Sequence, residues 1–211
     1  MEAIRFTFGG LELTNEVINR LEQLGYTPES LKEEINLQEL ECERESPALY
    51  CGTYGKYNSG NLGGMWVNVS TFDSYEDFIN FCKAIHADEE DPELMYQDFA
   101  NIPDYLYRES MGEEDFDHIK EYCELCDDYS VEAVDDFLEI FRPEDLDNMQ
   151  DAYVGEYESK EDFAREIVND CYDIENMMGS LADYFDYEAF ARDLFMGDYY
   201  FGSHGTVLRA F

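Results

Sequence analysis

The stretch from Glu113 to Asp147 constrains the fold of this chain more than any other. It holds fifteen carboxylates, opposed only by Lys120 and Arg142. Segments that acidic are often disordered, because they bury too little apolar surface to offset chain entropy. Here the apolar residues fall at helical spacing: Phe116, Ile119, Cys123 and Cys126 form one stripe, and Val134, Phe137, Leu138 and Phe141 another. The pattern predicts helices that bury one face and cover the others with carboxylates.

The rest of the chain follows the same rule. Acidic residues number 51 against 13 basic, a formal net charge of −38, yet 45% of residues are hydrophobic and 16% aromatic. Acidic tails lack aromatics, so a folded chain with an acidic surface is expected. Such a field repels nucleic acid, anionic lipid and anionic metabolites, and attracts basic protein surfaces. Neither a nucleic-acid nor a membrane partner is therefore expected. The opening MEAIRFTFGG has no basic start followed by a long apolar run, and no stretch approaches the roughly 18 apolar residues of a membrane span. A cytoplasmic protein with reduced cysteines follows as the expectation. Asn68-Val69-Ser70 matches a glycosylation acceptor, which carries no weight without secretion.

Four segments are read in order. Residues 1–46 form a βα extension: a strand at Ile4–Phe8, a Gly9-Gly10 turn, a helix capped at Thr14 or Asn15, a second helix opened by Thr27-Pro28, and a linker at Glu41–Ser46. Residues 47–107 form an α+β module with strands Ala48–Tyr54, Met65–Val69 and Leu94–Phe99, a glycine-rich loop Gly55–Gly64, and a helix capped by Ser74. Residues 108–147 form the acidic helical module. Residues 148–211 return to α+β. They read as a strand Ala152–Tyr157, a helix capped by Ser159 that carries Phe163, Ile167 and Cys171, a helix capped by Asp186, and a terminal hairpin Tyr199–Phe201/Thr206–Phe211. The predicted class is α+β, as a string of small modules. Each segment is net negative, so the charge is not one tail.

Conventional sites find little support. Cys123-x-x-Cys126 is half a zinc site with no second pair, and both cysteines fall on the apolar stripe. Gly55-Lys56 fails as a phosphate loop, since Tyr50 stands where the first glycine belongs and Tyr57 where Ser or Thr must hold magnesium. Asp88–Asp91 lacks the glycine of a calcium-binding loop. Ser203-His204 reads as a structural turn, and no arrangement of nucleophile, base and oxyanion donor can be drawn. No metal, cofactor or catalytic residue is expected. The charge then admits a salt-adapted protein, a binder or chaperone of basic proteins, or an imitation of nucleic acid; a carboxylate-based hydrolase is the remaining class. For scale, duplex DNA carries one charge per roughly 1.7 Å of axis, so 38 charges correspond to about 65 Å.

Leu49-Tyr50-Cys51-Gly52-Thr53-Tyr54-Gly55-Lys56-Tyr57-Asn58-Ser59-Gly60, followed by Gly64-Met65-Trp66, resembles the opening of the ArdA antirestriction family. His86-Ala87-Asp88 with Asp91-Pro92-Glu93 and Gln97-Asp98-Phe99 is similar too. So are Asp183-Tyr184-Phe185-Asp186-Tyr187-Glu188, Ala191-Arg192-Asp193-Leu194 and Ser203-His204-Gly205. The likeness spans about residues 47–211 and leaves 1–46 without a counterpart. The resemblance implies an elongated, three-part α+β homodimer that mimics bent DNA and occupies the DNA-binding groove of type I restriction–modification enzymes. It also implies carriage on mobile genetic elements and no catalysis.

A mimic of phosphates needs exposed carboxylates at phosphate-like spacing. The candidates are Asp115, Asp117, Glu121, Glu124, Asp127, Asp128, Asp135, Asp136 and Glu139, then Asp88, Glu89, Glu90 and Asp91. For the dimer, the weakly charged strand candidate at Asp151–Tyr157 offers an edge that can recruit a second copy. Ala152, Tyr153 and Val154 are expected inside that contact.

Overall fold

The structure is a computed structural model and describes residues 7–8, 11–27, 46–172 and 174–211. It is α+β, with helices and small antiparallel sheets. The chain divides into two compact units, Met1–Cys123 and Glu124–Phe211.

In the first unit, β1 (Thr7–Phe8) and β2 (Leu11–Glu12) form a short antiparallel ladder. Helix α1 (Asn15–Gln23) follows, its first turn capped by the Thr14 hydroxyl, which accepts from the Val17 N–H at 3.3 Å. Gly25, at φ +97°, ends it in the left-handed region that glycine tolerates. The expected strand start at 4–6, the Gly9-Gly10 turn, the second helix after Pro28 and the linker at 41–45 lie outside the described residues.

The main sheet of this unit is antiparallel in the order β4-β3-β5, from β3 (Ala48–Thr53), β4 (Met65–Asn68) and β5 (Leu94–Ala100). The expected loop at 55–64 is not wholly irregular. Thr53 caps a one-turn helix, α2 (Tyr54–Asn58), by accepting from the Lys56 N–H at 3.1 Å. Asn68, the apparent glycosylation acceptor, is buried and accepts from the Ser70 N–H at 2.9 Å. Helix α3 (Tyr75–Ala84), capped by Ser74 as expected, buries Phe78, Phe81 and Cys82. The Phe78 ring stacks on Tyr96 at 5.8 Å and meets Phe116 at 5.2 Å. Phe116 belongs to the acidic helix α4 (Glu113–Asp128), whose buried residues are Phe116, Ile119 and Tyr122. Tyr122 holds the buried place expected for Cys123 and Cys126, which are only half-buried.

Helix α1 shares the first unit's core. Val17 and Leu21 are fully buried, α1 packs on α3, and the Tyr26 ring meets Phe81 edge-on at 5.6 Å.

In the second unit, α5 (Val131–Ile140) starts at a Ser130 cap, and α6 (Met149–Ala152) leads into β6 (Tyr153–Glu156). The sheet is antiparallel in the order β6-β8-β7, with β7 at Tyr199–Phe201 and β8 at Thr206–Arg209, so β8 is central and β6 an edge. Ala152 ends α6 and is fully buried, one residue before the strand that was expected to begin there. Helix α7 (Lys160–Cys171) buries Phe163, Ala164 and Val168, whereas Cys171 is exposed. The buried face therefore turns toward Val168 rather than running through Ile167 and Cys171. After α8 (Ile174–Met178) and a 3-10 turn, α9 (Tyr187–Leu194) packs against α7 behind its Asp186 cap.

Because Leu21 lies within the core, Leu21→Ala is expected to destabilise the protein by about 2–5 kcal/mol, the cost of a large-to-small change at a buried site. The midpoint of urea denaturation reads that effect directly.

Candidate functional site

Along α4 the carboxylates Asp117, Glu121, Glu124 and Asp128 recur at four, three and four residues, which places them on one face of the helix. At 1.5 Å per residue they span about 16 Å, roughly one charge per 5.5 Å. One DNA strand carries a charge per 3.4 Å, so this single face reaches more than half that density. Asp117, Glu124, Asp127 and Asp128 are exposed, and Asp115 and Glu121 are half-buried. Asp115 also has a local duty, since its carboxylate accepts from the Gly112 N–H at 2.9 Å ahead of the helix. On α5, Glu139 is exposed and Asp135 half-buried.

Asp136 is set apart from these. Its side chain is fully buried and binds the turn between β7 and β8. The His204 and Thr206 N–H groups donate to it at 3.0 Å each, and the Ser203 hydroxyl oxygen lies 3.3 Å from it. The ring Nδ1 of His204 lies 2.9 Å from Asp136 Oδ1; an ionised carboxylate only accepts, so Nδ1 carries the proton. A Cβ at Gly202 would overlap the Asp136 carboxyl, so glycine there lets helix and turn approach. Burial pushes the Asp136 carboxyl up, but the N–H donors of His204 and Thr206 outweigh it and hold it below its ordinary value. The hydrogen bond to Asp136 raises the exposed His204 above its own ordinary value. Asp136 thus serves its own fold, which corrects the expectation that it faces a partner.

Serine, histidine and aspartate meet here without forming a catalytic relay. Ser203 Oγ and Asp136 both approach the same ring nitrogen, at 3.5 and 2.9 Å, and the hydroxyl donates to Glu139 at 2.8 Å. A relay needs the base to hold its two partners on opposite nitrogens.

In the first unit, the candidates Asp88 and Glu89 are tied to residues that local sequence could not connect with them. Lys56 Nζ donates to Asp88 at 2.8 Å and to His86 Nδ1 at 2.8 Å. With Nδ1 accepting, Nε2–H donates to the Cys51 carbonyl at 3.2 Å, and the buried His86 is fixed on the central strand. Glu89 accepts from the Thr53 hydroxyl at 2.6 Å. Glu90 and Asp91 are exposed. Lys56 therefore braces this acidic turn, a role that only the 30-residue separation from His86 concealed. Among the described residues no group of three or more His, Cys, Asp and Glu could hold a metal ion, and no helix is long and apolar enough to cross a membrane.

Residues 49–208 match the family model described as antirestriction protein (ArdA). The chain belongs to the ArdA family. The match takes in both compact units and leaves α1 before it, so in this ArdA protein a segment outside the family region completes the core of the first unit. The family is one of antirestriction proteins, inhibitors rather than enzymes. A comparison with curated proteins gave no match.

The Asp136–His204 pair sets a pH signature for this ArdA protein. The depressed Asp136 contributes stability above its unfolded pKa near 3.9 and loses it as pH falls through the lower folded value; the raised His204 contributes fully below about 6.5 and loses it as pH rises through its folded value. The gap in Tm between the native protein and Asp136→Asn should be widest between about pH 4 and 6.5 and shrink on either side. Within that window the loss should be about 1–3 kcal/mol for donors left poorly paired, against less than about 0.5 kcal/mol for exposed Asp128→Asn.

Proposed function

We propose that this protein blocks type I restriction–modification enzymes by occupying their DNA-binding groove as a carboxylate-bearing mimic of DNA. The observation that carries the reading is the ladder of Asp117, Glu121, Glu124 and Asp128 on α4, in a chain of net charge −38 that belongs to an antirestriction family. A groove that neutralises phosphates with lysine and arginine meets carboxylates at comparable spacing. Because the carboxylates stand on folded helices, docking orders fewer side-chain and backbone torsions than a flexible acidic tail would need. Asp127, Asp135 and Glu139 join the ladder residues, with Asp115 in support and Glu90 and Asp91 as a second cluster beside Asp88 and Glu89. Asp136 is excluded by its burial. The setting is the cytoplasm, where the protein protects incoming DNA of mobile genetic elements. A binder or chaperone of other basic DNA-binding proteins is the second reading, favoured by the same charge.

The deciding experiment measures DNA binding by a purified type I enzyme with and without this protein; undiminished binding at excess inhibitor overturns the proposal. Neutralising Asp117, Glu124 or Asp128 singly should weaken inhibition only slightly, while six or more neutralisations across 113–147, with Asp136 kept, should abolish it. Affinity should also fall tenfold or more between about 50 and 200 mM salt, as expected when a basic groove regains its counterions.

We further propose a two-fold homodimer paired through β6. That strand lies at the edge of its sheet, Val154 is 37% exposed and Tyr153 half-buried, so a second copy can extend the ladder. Ala152 is already buried within its own protomer and is left out. Val154→Asp should sediment as a folded monomer at micromolar concentration; a persistent dimer would place the contact elsewhere.

A further inference from the structure

Two buried cysteines of the first unit face each other without being bonded. Cys51 lies on the central strand β3 and Cys82 on the buried face of α3; both are fully buried and both are free thiols. His86 follows Cys82 by about one helical turn. Its Nε2–H donates to the Cys51 carbonyl at 3.2 Å, which sets this end of α3 against β3. The two sulfurs interact with each other, and the His86 ring interacts with the Cys51 sulfur. Tyr96, opposite Cys51 in the β3–β5 ladder and 1% exposed, closes a further side.

Cysteines buried in wholly apolar surroundings are inert. This pair is buried against a chain of polar groups that reaches the surface. Asp88, with its side chain 33% exposed, pairs with Lys56, which is 11% exposed, and Lys56 Nζ donates to His86 Nδ1 at 2.8 Å. That bond keeps the imidazole in the tautomer whose Nε2–H points to Cys51, and it brings a positive charge close to the sulfur. Burial pushes the Cys51 thiol up, but hydrogen bonding by Cys82 and His86 and the charge of Lys56 outweigh it and hold the thiol below its ordinary value. Burial and the neighbouring Cys51 push the Cys82 thiol up. A thiolate that can attack thus stands beside a thiol that can resolve the product.

We propose that Cys51 and Cys82 form a peroxide-sensitive dithiol that closes a disulfide between β3 and α3. The Cys51 thiolate attacks one oxygen of hydrogen peroxide: an S–O bond forms, the O–O bond breaks and hydroxide leaves. The Cys82 sulfur then attacks the Cys51 sulfenic acid: the S–S bond forms, the S–O bond breaks, and the hydroxyl leaves as water with the Cys82 proton. Each sulfur gives up one electron and the peroxide takes two. The product straps α3, which carries Phe78 and Phe81 of the core, to the central strand. The site uses none of the ladder carboxylates and stands apart from the reading of the protein as a DNA mimic.

The test treats the full chain with hydrogen peroxide, quenches with catalase, unfolds the protein in iodoacetamide or dimedone, and maps every cysteine by mass spectrometry. In the native protein Cys51 and Cys82 should be found joined, and dithiothreitol should restore both thiols. In Cys82→Ser, Cys51 should stop at the sulfenic acid and take up dimedone; in Cys51→Ser, Cys82 should remain a thiol. Lys56→Met should slow oxidation of Cys51 about tenfold, while the exposed Cys171 keeps its rate and circular dichroism is unchanged. The proposal is overturned if Cys51 and Cys82 stay reduced while Cys171 is oxidised. It is equally overturned if Cys82 oxidises as readily without Cys51, or if Lys56→Met leaves the Cys51 rate as it was.

Discussion

Mutual repulsion of 38 net negative charges is the constraint to which the rest of this structure answers. Compaction brings carboxylates closer, and the chain has few cations to place between them. The stabilising side is aromatic and aliphatic burial: Phe78, Tyr96 and Phe116 in one unit, Phe163 with Tyr157 and Tyr199 in the other. Rings suit this task because each buries a large area from a single position, leaving neighbouring positions free for carboxylates. The few cations sit where they do most. Lys56 binds Asp88 and His86 together, and Arg165 pairs with Glu161 at 2.5 Å while lying over the Tyr187 ring.

Local signals were legible in the sequence because their physics is local. Ser74, Ser159 and Asp186 each cap a helix where expected, since a cap needs only a side-chain oxygen and the N–H three residues on. The α+β class and the strands β3 to β5 followed from alternation and turn residues. One-turn α2 was hidden inside a glycine-rich stretch that reads as loop, because five residues show no periodicity. The faces of α4 and α7 were placed slightly off. Cysteine looks apolar in sequence, but Tyr122 and Val168 fill the buried positions better than Cys126 and Cys171.

Candidate carboxylates were legible as a population and not as individuals. Asp135 and Asp136 are chemically identical neighbours, yet one is half-buried and the other holds a turn nearly seventy residues away. Nothing local to 135–136 announces that difference, because the donors belong to the Ser203–Thr206 turn. Lys56 and His86 were concealed in the same way, by sequence distance. The N-terminal stretch had no counterpart in the resembling family, and only packing reveals that Leu21 belongs to the same core as Phe81.

The contact between Gly202 and Asp136 divides the acidic residues by how freely they can drift. A surface carboxylate contributes to a field, so it can trade places with its neighbour, become glutamate, or move one position along a helix while the field persists. Asp136 contributes to a fit: one methylene more, or a methyl on Gly202, would push helix and turn apart. Across descendants of this sequence the ladder residues should wander while the pair moves together or not at all. In this acidic protein the most invariant aspartate would then be one that no partner meets.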